Sequence, residues 1–353
     1  MIDSDRPAIE RIGATPRARS VPAALLGLLL LLVPQPGYAA ASEERPTILA
    51  VVGAAGLPEY GGQFRDWANQ WQAAAKKGGA EFLAIGLDAP RENAPADRDR
   101  LRSLLAEQVS AAASAAPRRE PLWIVLIGHG TFDGKEAKLN LRGPDVSDVE
   151  LSQWLASIKR PLVLIDCTSA SGPFLSRLSG PDRVVITATR SGDEQNFAHF
   201  GEYMAKAIND DQADLDKDGQ VSLLEAFLSA SGRTAESYRA KSHLATEHPL
   251  IDDNGDKLGT PADWFRGVRA TRRAKDGAAL DGLRAHQIHL TPTENERKLS
   301  PEIRDKRDAL ERSIATLRDQ KVKLSEDDYY TRLEALMTDL ARLYLHTDGV
   351  DRR

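Results

Sequence analysis

The sequence predicts an α/β fold: a mainly parallel sheet covered by helices on both faces, with a C-terminal helical hairpin. Three observations predict it. Apolar β-runs recur with amphipathic stretches of helical length between them, the order that βαβ units impose. Runs such as "LWIVLIG" (122–128) and "PLVLID" (161–166) are continuously apolar, as strands buried on both faces are. Beyond residue 300 strand runs stop, and apolar residues recur at three and four residues.

In chain order, Arg17 and Arg19 precede the apolar run "VPAALLGLLLLLV" (21–33), and small residues follow as far as Ala41. A bilayer span needs about 20 apolar residues. This shorter run, with its basic flank and small-residue exit, predicts a signal peptide over 1–41; an uncleaved anchor is the other reading. The protein is therefore expected to be exported, periplasmic or secreted.

"TILAVV" (47–52) predicts the first strand. Phe64, Trp67, Trp71 and Ala75 share one face of a helix over 61–79. A strand over 81–86, a helix over 97–115 and the strand over 122–128 follow. A short strand in "AKLNLRG" (137–143) precedes a helix over 148–158, the strand over 161–166 and a strand over 183–189. A helix over 197–208 closes the alternation, and 263–299 reads as a basic connector. In 300–346, Ile303, Leu310, Ile314 and Leu317 form one stripe, and Leu333, Leu336, Leu340 and Leu343 another. Ser300-Pro301 and Ser325 with Asp328 start these two helices. The hairpin docks on the chain's own body or meets a protein partner.

The chain has 353 residues, 41% apolar and 28% charged, with a net charge of −5. Losing residues 1–41 removes four Arg and three acidic residues and leaves −6. Neither value points to nucleic acid or an anionic membrane. Cys167 is the only cysteine, so no intrachain disulfide forms, and the thiol is inert, paired to another chain, or a working group.

In doubly covered parallel sheets chemistry collects at the carboxyl ends of strands. His129 follows one apolar strand and Cys167 the next, 38 residues on. A thiol attacks carbonyls as thiolate and needs a nearby imidazole and donors for the oxyanion. Gly130 and Cys167 supply backbone N–H groups for that purpose. The small loop Thr168–Gly172 leaves room for a substrate backbone. The plainer reading makes Cys167 a small core residue.

"WIVLIGHG" followed by "LVLIDCTSASG" resembles the His-Gly and Cys motifs of caspase-like cysteine peptidases, the clan of legumains, metacaspases and gingipains. The similarity covers roughly residues 46–230, with the domain extending to 262, and is nearest the legumain-like family in a bacterial exported form. The resemblance implies a caspase-like fold. It implies endopeptidase activity on peptide or protein substrates through a thioester acyl-enzyme, with His129 as acid-base and Cys167 as nucleophile. Legumains carry an Arg-His pair where this chain has Gly61 and Gly62, an orienting asparagine at Ala55, and an acidic residue at Thr168. Asparaginyl specificity is therefore not implied. Arg190, Asp193 and Glu194 stand where this fold builds part of its specificity pocket; a solvated loop is the alternative. A catalytically silent scaffold that binds calcium and a protein partner is the rival function.

"DLDKDGQVSLLE" (214–225) matches the EF-hand calcium loop position by position. Asp214, Asp216 and Asp218 stand at positions 1, 3 and 5, and Gly219 at 6. Gln220 offers a carbonyl at 7, Ser222 stands at 9 and Glu225 closes at 12. Such oxygen ligands suit Ca²⁺; a solvated acidic turn before a helix is the other reading. "DDNGD" (252–256) has Lys257 where the glycine should stand, so no complete second loop is expected. His286 and His289 show no third metal ligand. No G-x-S-x-G occurs, against a serine hydrolase with a nucleophile elbow.

Overall fold

The computed structural model describes residues 45–89, 92–113 and 119–348. The expected signal peptide lies outside them. No helix among the described residues is long and apolar enough to cross a membrane. The described residues belong to one compact unit that includes the C-terminal helices.

The chain begins with strand β1 (Thr47–Val52), helix α1 (Pro58–Gly78), β2 (Glu81–Ile85), α2 (Asp97–Ala113) and β3 (Leu122–Ile127). A small antiparallel sheet of β4 (Gly130–Phe132), β5 (Ala137–Leu139) and β6 (Val146–Ser147) follows. Next come α3 (Asp148–Leu155), β7 (Leu162–Asp166), α4 (Gly172–Leu178), β8 (Arg183–Thr187), α5 (Phe200–Ala207) and α6 (Leu223–Ala240). Strands β9 (Leu250–Asp252) and β10 (Thr260–Pro261) complete the main sheet.

That sheet has the order β10-β9-β8-β7-β3-β1-β2. Strands β8, β7, β3, β1 and β2 run parallel, and β9 and β10 add an antiparallel edge. The mixed α/β fold with a mainly parallel sheet is thus as the sequence predicts. The two edge strands are too short to leave a periodic signal.

Pleating sorts the strand residues between two cores. Ile48, Trp123, Val125, Val163 and Ile165 pack with Phe64, Trp67 and Trp71 of α1 and with α5 and α6. Leu49, Ile124, Leu162 and Leu164 pack with Leu101 and Leu105 of α2, Leu151 of α3 and Phe174 of α4. Cys167 continues the parity of Val163 and Ile165, so its side chain belongs to the α1–α5 face.

Beyond the sheet, the hairpin β11 (Phe265–Arg266) and β12 (Arg269–Ala270) and the short helices α7 (Leu283–His286) and α8 (Glu294–Lys298) fill the expected connector. The final pair is α9 (Pro301–Asp319) and α10 (Glu326–Asp348). Ser300 caps α9 through the Ile303 N–H, and Ser325 accepts from the Asp328 N–H. Helix α9 docks on the body through Arg304–Glu120 at 3.2 Å, Arg119–Asp305 at 3.1 Å and Arg307–Glu296 at 2.5 Å. Its Ile314 and Leu317 are buried. Helix α10 packs on α9, and Met337 and Tyr344 stay exposed.

Candidate active site

Strands β3 and β7 are neighbours in register, Leu126 beside Asp166. Cys167 extends that ladder by one residue, its N–H donating to Leu126 O at 2.9 Å. His129 lies two residues beyond β3. Adjacent strands thus bring the imidazole and the thiol to one end and one face of the sheet.

The imidazole is half-buried among Tyr60, Phe64 and Phe197, with ring centroids at 4.9, 5.2 and 5.9 Å. Its Nε2 lies 3.1 Å from Ala55 O. A carbonyl can only accept, so Nε2 carries the proton and Nδ1 is left as the basic nitrogen. The backbone at Ala55 therefore orients the ring where no side-chain amide is present.

The thiol is shut away. Cys167 is 1% exposed, and its Sγ makes no hydrogen bond to His129 or any other described residue. Burial, and then the charges of Asp166 and Glu247, push its pKa well above that of a free thiol. A methyl at Gly201, in the first turn of α5, would lie 2.7 Å from Cys167 Cβ and 2.7 Å from the Trp67 ring. Only glycine fits under those atoms. Gly201→Ala is therefore expected to cost about 1–3 kcal/mol through overpacking, read as a lower urea midpoint at unchanged m-value.

Two expectations fail here. The N–H groups of Gly130 and Cys167 are not poised for an oxyanion: Gly130 N donates to Ser169 Oγ at 3.2 Å and Cys167 N to Leu126 O. The ladder continues past the strand, and Ser169 folds back over Gly130. The small loop after Cys167 is not open either. Thr168, Ser169, Ala170 and Ser171 are all buried. Thr168 donates from N and Oγ1 to Asp166 Oδ1 at 3.0 and 2.6 Å, and Ala170 N donates to Glu194 O at 2.8 Å.

Of the residues expected at a specificity pocket, Glu194 and Arg190 form a bracket. Glu194 accepts from the N–H groups of Arg190 and His248 at 3.0 and 3.2 Å. It also pairs with His248 Nδ1 at 2.6 Å and Arg190 Nε at 3.1 Å. Asp193 is exposed, and its N–H donates to Ser191 Oγ. No motif or period in the sequence marks Glu247. It is 2% exposed and accepts from the His199 and Phe200 N–H groups at 2.8 and 2.9 Å and from Tyr238 Oη at 3.0 Å. It pins the chain where α5 begins, which is why that helix starts at Phe200, three residues later than periodicity predicts.

The acidic loop lies at the other end of α5. Carboxylate oxygens of Asp214, Asp216 and Asp218 lie within 4.8 Å of one another. Asp214 accepts from the Lys217 and Gly219 N–H groups at 2.7 and 3.1 Å. Gly219 has φ +89°, the left-handed region where a side chain is strained. Buried Glu225 reaches back to accept from the Leu215 and Asp216 N–H groups at 2.7 and 3.2 Å, while Ser222 N and Oγ donate to its other oxygen. Gln220 uses its side chain elsewhere, accepting from Thr293 N at 3.0 Å. His286 finds the partners the sequence did not reveal: its Nε2 lies 2.9 Å from Asp216 Oδ2 and within the same 4.8 Å grouping as Glu225. His289 faces Ser222 in an isolated bridge, and burial depresses its pKa. At the β9–β10 turn, Asp252 accepts from the Gly255 and Lys257 N–H groups, both at 2.9 Å.

No protein-family model matches the chain, and no curated protein matches it. Among solved structures it is similar to the Drosophila initiator caspase Dronc, at 15% identity and a TM-score of 0.38 over 60% of this chain and 80% of that one. It is similar to caspase-1 from Spodoptera frugiperda, at 12% identity and 0.37 over 60% and 86%. It is also similar to Raptor from Chaetomium thermophilum, at 9% identity and 0.29 over 47% and 17%.

Proposed function

We propose that this chain is an exported, caspase-like cysteine endopeptidase of the legumain-like type, with a closed resting form. The observation that carries the reading is the pairing of β3 with β7. It sets His129 and Cys167 on one sheet face while Ala55 O holds Nε2 and leaves Nδ1 as base. In the working form, Nδ1 takes the thiol proton and the thiolate adds to the scissile carbonyl. The C–N bond then breaks as the imidazolium gives that proton to the leaving amine. The thioester acyl-enzyme is hydrolysed by water. Reaching that form requires the segment from Arg190 to Gly201 to lift off Cys167, which lowers the thiol pKa by readmitting solvent.

Asp214, Asp216, Asp218, the Gln220 carbonyl, Ser222 and Glu225 would hold a calcium ion. The convergence of three carboxylates fits a hard cation. Bound there, calcium supplies rigidity to the turn between α5 and α6.

The buried thiol and the spent N–H groups favour a second reading, a silent scaffold that meets a protein partner through α10. Labelling with peptide-based thiol electrophiles, read by mass spectrometry at Cys167, separates the two. The peptidase reading expects labelling and peptide hydrolysis that both fall by about 10²-fold or more in His129→Ala, with hydrolysis abolished in Cys167→Ala. Full retention of hydrolysis in either variant sinks the mechanism. Labelling slower than free cysteine under every condition, with no hydrolysis, leaves the scaffold.

A further inference from the structure

Beside His129, on the side away from Cys167, the ends of β1 and β2 part into a cleft of about 330 Å³. That volume is at the lower end of ligand pockets. Gly53 and Ala55 after β1, Gly86 and Asp88 after β2, and Phe64 and Arg65 of α1 line it. It shares a wall with the imidazole, since Ala55 O holds Nε2 and the Phe64 ring packs on the histidine. The order across the sheet is thiol on β7, imidazole on β3, cleft on β1 and β2.

We propose that this cleft binds the departing half of the peptide, at the third or fourth residue after the cleaved bond, and that Arg65 and Asp88 set which charge it takes. The inference rests on the peptidase reading. In acyl transfer the carbonyl half stays on sulfur as the S–C bond forms, and the C–N bond breaks with the imidazole proton passing to the amine. The amine half must therefore lie on the imidazole side and run over β3 toward β1 and β2. Strands are spaced about 4.8 Å apart and an extended chain advances about 3.3 Å per residue. Two to three spacings from β7 reach the cleft after three to four residues.

The charges are specific. Arg142 at the rim is spent on buried Asp97, at 2.7 Å. Arg65 and Asp88 are both exposed, and neither side chain has an ion-pair partner among the described residues. One charge of each sign, unpaired among the described residues, suits a polar residue and disfavours an aliphatic one.

The test is digestion of a randomised peptide library by the full chain, with product ends sequenced by mass spectrometry. Wild type is expected to enrich polar residues at the third or fourth position after the bond. Arg65→Glu makes both charges negative and should shift that position toward Lys and Arg over Asp and Glu by about twofold to fivefold, within the range of exposed ion pairs. Positions before the bond should stay unchanged. Arg65→Ala should give a smaller shift in the same direction and guards against a folding defect in the first variant. Cleavage whose preferences do not move, or move only before the bond, overturns the cleft assignment and leaves the peptidase standing. No cleavage by wild type together with no labelling of Cys167 overturns both.

Discussion

Asp166→Asn is expected to make the protein more stable at pH 8 by up to about 4 kcal/mol, and to leave it nearly unchanged at pH 4. Asp166 ends β7, is wholly buried, and has its pKa pushed up to about 7, burial being the main cause and the Thr168 hydrogen bonds only partly opposing it. Its Oδ1 accepts from Thr168 N and Oγ1, while Oδ2 is buried with no partner. An acid whose folded pKa lies above its unfolded value binds its proton more tightly in the native state. Its charge therefore costs nothing near pH 4. The cost grows as pH rises from about 4 and is complete above about 7. Three pKa units correspond to about 4 kcal/mol, an upper bound because a buried charge draws in water. Asparagine keeps the Oδ1 acceptor and removes the charge. Urea midpoints at pH 4, 6 and 8 read the effect, and equal destabilisation at all three would show that the carboxylate is native-state scaffolding. Because the Asp166 charge also raises the Cys167 pKa, the same variant should label faster at Cys167.

The strands, and the placing of His129 and Cys167 at the ends of two of them, were legible because continuous apolar runs and their polar exits are local properties. "LWIVLIGHG" and "PLVLIDC" mark strand ends without reference to the rest of the chain. The state of the thiol was not legible. It depends on Gly201 meeting Cys167 Cβ and Trp67, and on Glu247 pinning Phe200 from a segment 47 residues away. No sequence period encodes such contacts. Glu194 reads in sequence as a loop acid and is in the fold a bracket between Ala170, Arg190 and His248. The same limit applied to His286, which looked solitary because Asp216 lies 70 residues before it. The N–H groups of Gly130 and Cys167 read as free donors in the sequence for a related reason. Backbone donors after a strand are free only if the ladder stops there, and here it runs one residue further.

Calcium at millimolar concentration is expected to raise the melting temperature of the full chain by several degrees, and Asp218→Ala is expected to abolish that rise. Asp214, Asp216 and Asp218 gather carboxylate oxygens within 4.8 Å, and like charges so close repel one another. The loop holds its shape because Asp214 and Glu225 each accept two loop N–H groups. A cation that binds only the folded loop stabilises by about 2.7 kcal/mol at a hundredfold excess over its Kd, and each kcal/mol shifts a domain of 150–250 residues by roughly 2–4 °C. Asp218 is the right residue to remove, because it is exposed and its carboxylate accepts only from Gln220 N and Nε2, so the fold survives its loss. Glu225→Gln is the stricter companion: the amide keeps one acceptor for the Leu215 and Asp216 N–H groups but cannot close the site with two oxygens. Magnesium at the same concentration should give a smaller shift, since a ring of flexible carboxylates suits the larger ion. A melting temperature indifferent to calcium, or raised equally in Asp218→Ala, would reduce residues 214–225 to a self-satisfied turn that starts α6. Loss of the shift in both variants would place the ion between α5 and α6, on the opposite end of α5 from Gly201 and the buried thiol.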